Sequence, residues 1–205
     1  MTTRTPNPRG HGGRLRAEIL AAATALLDAG GDERAVTLRA VARRAGVATP
    51  SIYHHFRGPQ AIMLALVREA FADLTARLRA AAGATGPGPR RQLLAICQAY
   101  VTFAHDHPER YRTMFGGLWN PVVTGGEVTA EDLSGLGADA MAVVVDGLTA
   151  CVATGDCTST DPAADAIALW LGLHGLAHQR ATAPIFPWPA DLTRRLAVPL
   201  AHLVD

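Results

Sequence analysis

Two short helical patterns lie almost end to end in residues 37–57, with only Gly46, Val47 and Ala48 between them. In the first, Leu38, Val41, Ala42 and Ala45 recur at i, i+3, i+4 and i+7, one face of a helix. Thr37 is its N-cap, since a threonine hydroxyl satisfies an amide that the first turn leaves without a partner. Gly46 accepts the left-handed backbone that ends a helix and turns the chain sharply. The second pattern starts at Thr49, with Pro50 in the first turn, where a missing N–H costs nothing. Ile52 and Phe56 face inward, and Arg57-Gly58 closes it. Helices this short are not stable alone and must pack on a third. The small side chains of Ala42 and Ala45 let the pair cross closely, leaving the second helix to protrude. A helix-turn-helix has this geometry, and its second helix fits a DNA major groove. A generic three-helix fragment gives the same apolar pattern, so the residues themselves must carry the reading.

The rest of the chain is helical by the same test. Leu15, Ile19, Ala22, Ala23, Leu26 and Leu27 make a helix over 14–29, ended by Gly30-Gly31. A long helix begins at Pro59 and keeps its spacing through Ile62, Leu66, Val67, Phe71, Leu74 and Leu78 to about Ala82. Gly83–Pro89 is a loop by composition. Further helices are expected over 90–106, 108–115, 129–154, 161–183 and 190–204, with 116–126 irregular. Thr129 and Asp132 resemble a capping box, Asp161-Pro162 starts the next helix, and Pro199 kinks or shortens the last. No strand pattern is present, so the fold class is all-α with about nine helices. The expected organisation is a flexible arm at 1–13, a three-helix unit at 14–60 and a larger helical domain at 61–205.

Charge divides the chain in the same place. All 19 basic residues are Arg. Residues 1–60 hold nine Arg and four acids, a balance of +5, whereas 61–205 hold ten Arg and fourteen acids, a balance of −4. A basic front on an acidic remainder suits one polyanion-binding module and one that does not touch DNA. Cys97, Cys151 and Cys157 include no CxxC and read as reduced thiols. The N-terminus has no apolar stretch, and no apolar run is long enough to cross a bilayer, so a cytoplasmic protein without membrane contact is expected. A hydrolase would need a GxSxG elbow and strands to hold it, and neither is found, so the chain reads as a non-enzyme.

The segment Thr37-Leu38-Arg39-Ala40-Val41-Ala42-Arg43-Arg44-Ala45-Gly46-Val47-Ala48-Thr49-Pro50-Ser51-Ile52-Tyr53-His54-His55-Phe56 closely resembles the TetR-family signature: a Thr-led helix, an Ala-Gly-Val turn and a Tyr-x-His-Phe ending. The match covers about residues 14–62. The resemblance implies that Thr37 bonds a DNA phosphate as well as capping its helix. It also implies that Thr49, Pro50 and Ser51 face base edges, that Tyr53 and His54 hold phosphates, and that Val41, Ile52 and Phe56 are core. Threonine and serine can read donor or acceptor edges, and proline offers an apolar surface to a thymine methyl. Two positions depart from the family. Ala48 stands where a polar cap is usual, so Thr49 is expected to take over capping. Pro59 stands where a lysine is usual, so a phosphate there would rest on the exposed amides of the helix N-terminus. Affinity then leans on Arg39, Arg43 and the arm residues Arg4, Arg9 and Arg14.

Further on, Trp170-Leu171-Gly172-Leu173-His174-Gly175-Leu176-Ala177 resembles the Trp-His-Gly motif of one TetR C-terminal subclass, the WHG domain. His107–Phe115 resembles its short sixth helix. This implies a helical sensor domain whose last two helices pair with their mates in a homodimer, with Ala168, Gly172 and Gly175 allowing close approach. Tyr100, Phe103, Met114, Trp119, Met141, Trp170 and His174 are the expected effector-pocket residues, apolar walls with few polar groups. His174 and His178 share a helix face with metal-ligand spacing, and His105 or His107 is the nearest candidate third ligand. Without an assured third ligand, no metal and no cofactor are expected. The expected function is a TetR-type regulator of a double-stranded DNA operator, a repressor released by a small, largely apolar effector. A nonspecific DNA-binding protein and an activator of the same fold are the alternatives.

Overall fold

A computed structural model describes residues 12–30, 33–117, 119, 121 and 127–204. The order of elements is α1 (Gly12–Gly30), a 3₁₀ turn (Glu33–Ala35), α2 (Leu38–Ala45), α3 (Thr49–Tyr53), α4 (Pro59–Ala84), α5 (Pro89–Asp106), α6 (Pro108–Phe115), α7 (Ala130–Ser134), α8 (Ala138–Thr154), α9 (Pro162–Thr182) and α10 (Leu192–Leu200). Among the described residues the fold is all-α, with one isolated bridge, Cys157 to Leu203. The arm expected at 1–13 lies outside the described residues except for Gly12 and Gly13, which open α1.

The chain divides into two compact units. The first holds the described residues up to Val67 together with Phe115–Leu133. Its core is built from Ile19, Leu20, Ala23 and Leu27 of α1, Val41 and Ala42 of α2, Ile52 and Phe56 around α3, and Ile62, Met63 and Leu66 of α4. Burying these apolar faces stabilises helices too short to persist alone. The second holds Arg68–Met114 and the residues from Ser134 onward. There α5 packs against α8, α9 and α10, and α8 and α10 pack against α9. Leu74, Leu78, Leu93, Leu148, Leu169 and Leu173 are buried among them.

Caps decide most boundaries. The Thr37 hydroxyl accepts from the Ala40 amide at 3.2 Å. Thr129 and Asp132 form the expected reciprocal pair, Asp132 N–H to Thr129 Oγ1 at 3.1 Å and Thr129 N–H to Asp132 Oδ2 at 2.9 Å. Asp161 accepts from the Ala164 amide at 3.1 Å.

Four expectations are corrected. The helix expected over 129–154 is split into α7 and α8: Gly137 takes φ +77°, and a Cβ there would lie 2.7 Å from the Phe71 ring. The all-α architecture of about nine helices stands; the break only divides one of them. Within residues 130–154 an 18-residue window has a mean hydropathy of 1.6 and meets the length and composition of a membrane span, contrary to the reading of the bare sequence. In the fold, α8 turns Ala140, Val143, Val144, Leu148 and Cys151 into the core of the second unit. The third helix stops at Tyr53, four residues short of Arg57. The last helix ends at Leu200 just past Pro199, and the chain then turns so that Thr158 donates to His202 O at 3.0 Å and Val204 to Asp156 O at 3.0 Å.

Candidate nucleic-acid interface and effector core

The first unit presents one end of a short helix on a rigid base. Gly46, at φ +68°, closes α2 by donating to Ala42 and Arg43 carbonyls, and Val47 donates to Ala42 O at 3.0 Å. Three residues later α3 begins. Ile52 is fully buried and Phe56 nearly so, which fixes the rotation of α3 about its axis. The Arg16 guanidinium lies over the Phe56 ring, 5.3 Å from its centre. With that face buried, Pro50, Tyr53 and His54 are exposed and Thr49 and Ser51 half-buried; Tyr53 is 59% exposed. Thr37, Arg39 and Arg43 are exposed on α2 and its cap. All eight residues expected to meet DNA therefore belong to one unit. Arg14 is also exposed and pairs with Glu18 at 2.9 Å, while Arg4 and Arg9 lie outside the described residues.

Two local expectations fail. Thr49 does not cap α3: the cap is Ala48, which makes no side-chain bond to the helix, and Thr49 is the first helical residue. The amides at the start of α4 are not open to a phosphate. Gln60 and Ala61 donate to the Glu127 carboxylate at 3.1 and 3.2 Å, and an anion at the positive end of a helix is favourable. Glu127 lies 67 residues from Gln60, and no local signal reveals the contact.

The second unit holds a buried polar cluster. Tyr100 of α5, Tyr111 of α6 and His174 of α9 meet: Tyr111 Oη is 2.6 Å from His174 Nδ1, and Tyr100 Oη is 3.4 Å from both Tyr111 Oη and His174 Nδ1. Trp170 stands edge-on to Tyr100, ring centres 4.7 Å apart, and Tyr111 stacks on His174 at 5.6 Å. Burial pushes the Tyr111 phenol up to about 12 and Tyr100 higher still. Burial, and then His178 nearby, lower the His174 imidazole from its usual value, so it is neutral at pH 7. Neutral phenols beside a neutral imidazole form a hydrogen-bonding set without net charge.

Of the expected pocket residues, the structure brings together Tyr100, Trp170 and His174, and adds Tyr111, which the sequence reading passed over. Phe103 is fully buried, tilted against His107 with ring centres 5.4 Å apart. Met114 and Met141 are half-buried. Trp119 belongs to the first unit, where its indole donates to Gln60 Oε1 and packs on the core, so it is not grouped with the others. No group of three His, Cys, Asp or Glu among the described residues is placed to hold a metal. Cys97, Cys151 and Cys157 are free and buried, and burial raises Cys97 to about 12 and Cys151 to about 11. Thiols so weakly acidic are poor nucleophiles.

Residues 19–66 match the family of bacterial regulatory proteins of the tetR type. Residues 93–203 match the tetracyclin repressor-like C-terminal domain, so that match alone takes in more than half the chain. The chain belongs to the TetR family. A Rhodococcus sp. RHA1 protein of unknown function has the same fold with a TM-score of 0.79 and 29% identity, over 97% of this chain and 100% of that one. A tetR-family regulatory protein from Rhodococcus RHA1 matches at 0.68 and 21% identity, over 94% and 99%. FadR from Bacillus subtilis, in complex with stearoyl-CoA, matches at 0.73 and 13% identity, over 92% and 99%. No curated protein matches. As a TetR-family chain it is a DNA-binding transcriptional regulator, and the match over residues 19–66 takes in α2, α3 and most of α1. Its departures are local: a cap without a hydroxyl at Ala48, and a carboxylate of its own on the first amides of α4.

Proposed function

We propose that this TetR-family chain is a cytoplasmic homodimeric repressor that releases its operator when a small, largely apolar effector enters the second unit. The observation that carries the DNA side is the solvent-facing row of exposed Pro50, Tyr53 and His54 with half-buried Thr49 and Ser51, on and just after a short helix whose orientation Ile52 and Phe56 lock into a core. In this reading Thr49, Pro50 and Ser51 meet base edges, while Thr37, Tyr53, His54, Arg39 and Arg43 hold phosphates. Two copies place two such helices in successive major grooves of a near-palindromic site, about one helical turn apart. Residues of α4 contribute to both units, which suits that helix to couple effector binding to the spacing of the reading heads. An effector acts only by binding one spacing more tightly than the other. The solved FadR complex with stearoyl-CoA, a relative in fold, lends support to an effector role for the helical domain.

The dimer is supported by the surface of α9. Ile167 and Leu171 are 52% and 63% exposed, one turn apart, and Gly175 follows with open space around its Cα. In this reading a second copy covers Ile167 and Leu171. Gly172 serves a different purpose from the one expected: a Cβ there would lie 2.5 Å from Leu200, so it allows close packing of α10 within the same subunit. Leu171→Glu is expected to convert the dimer to a monomer in light scattering. Operator affinity should then fall at least roughly 100-fold, because two tethered half-sites bind far more tightly than one. A dimeric Leu171→Glu protein with unchanged operator affinity contradicts the assignment of this face.

A further inference from the structure

The second unit contains a cleft of about 530 Å³ between α5 and α9, and Tyr100, Tyr111 and His174 are not among the residues that line it. None of the residues expected to form an effector pocket lines it. Its size lies within the range of about 300–1,000 Å³ typical of small-molecule sites. Val101, Ala104 and Ala177 make a buried apolar floor, and Trp188 forms a wall. The Trp188 indole is fixed in place by donating to Ala183 O at 3.0 Å and by the Phe186 ring 4.5 Å away, so the wall is built before anything binds.

The polar residues of the cleft are unusually one-sided. Arg180 and His105 line it, and no acidic residue does. Arg180 Nη2 donates to Pro189 O at 3.4 Å, but Nε is buried and finds no acceptor in the chain. A guanidinium is always charged, and a buried N–H without an acceptor carries a desolvation cost. Both the charge of Arg180 and the apolar floor call for a complement: a negative group would compensate the guanidinium, and an apolar body would cover the floor and the indole.

We propose that this cleft binds a small organic monocarboxylate, its carboxylate on Arg180 and its apolar part against Val101, Ala104 and Trp188. The proposal deepens the effector-responsive reading, giving the chemical class of the effector and the place where it binds. A carboxylate accepts two N–H bonds from a guanidinium in a plane, which a phosphate-sized dianion in so apolar a cleft would do only with charge left over.

The test uses the full chain and two matched pairs of probes, 4-phenylbutyrate with 4-phenylbutyramide and octanoate with octanamide. Calorimetry and tryptophan fluorescence read binding, and anisotropy on operator DNA is read separately. The acids are expected to bind and the amides to bind at least about tenfold more weakly. Arg180→Gln should weaken the acids by a similar factor. Ala181→Phe, made at an exposed lining position, should block all four probes while Arg180 stays in place. Circular dichroism confirms that both variants are folded. The site is overturned if neither acid binds up to about 5 mM, if acids and amides bind alike, or if a folded Arg180→Gln or Ala181→Phe protein binds the acids as the wild type does. Arg180-dependent binding that leaves operator affinity unchanged supports the site and removes the release mechanism. A drop in operator affinity without Arg180-dependent binding overturns the site and keeps that mechanism.

Discussion

The double substitution Ser51→Ala with Tyr53→Ala is expected to reduce operator affinity by roughly 100-fold, about 3 kcal/mol, with almost no change in thermal stability. The reasoning is geometric. Ser51 is half-buried and Tyr53 is 59% exposed, and neither belongs to the core of the first unit. Removing a hydroxyl and a phenol from that surface costs no packing, so melting should stay within a degree or two of the wild type. Single contacts to base edges or phosphates contribute about 1–3 kcal/mol each, and two lost contacts account for the expected fall. Fluorescence anisotropy on operator DNA, paired with circular dichroism melting, separates the two effects. Unchanged affinity would mean that α3 does not read the operator through this face.

The residue between them should behave in the opposite way. Ile52→Ala is expected to destabilise the first unit by about 2–5 kcal/mol. Ile52 is fully buried among α1, α2 and α4 core residues, and alanine leaves a cavity that a small unit has little means to close. Operator binding should fall with it, because α3 has only five residues and its orientation depends on that side chain and on Phe56. Lowering the temperature or adding a stabilising osmolyte should restore part of the Ile52→Ala binding and none of the Ser51→Ala/Tyr53→Ala binding. Three consecutive residues thus divide between reading and packing, and the order Ser-Ile-Tyr can be tested position by position. If Ile52→Ala melted like the wild type, α3 would not be anchored as described.

Much of this was legible from periodicity and caps. Thr37, the Thr129/Asp132 pair and Asp161 mark helix starts by local chemistry, and the structure makes those hydrogen bonds. Burial of Val41, Ile52 and Phe56 follows from spacing alone. What escaped depends on distant partners. Gly135-Leu136-Gly137 sits inside an apolar period that continues on both sides, and the break becomes evident only beside the Phe71 ring. Trp119 reads as another aromatic for the effector domain until Gln60 engages it in the first unit. Tyr111 meets His174 across 63 residues, and Glu127 meets the start of α4 across 67, separations over which no pattern is visible. Arg180 stands near the end of α9 and resembles any solvated arginine there; only the cleft around it distinguishes it.

The most direct test of the account is anisotropy of the purified protein on the DNA just upstream of its own gene against a scrambled duplex, over a salt series. The account predicts a strong preference for the native fragment that persists as salt rises. Binding to the scrambled duplex should fall with a slope of about −0.9 per phosphate neutralised. Equal and steeply salt-dependent binding to both duplexes would contradict it and favour a nonspecific DNA-binding protein.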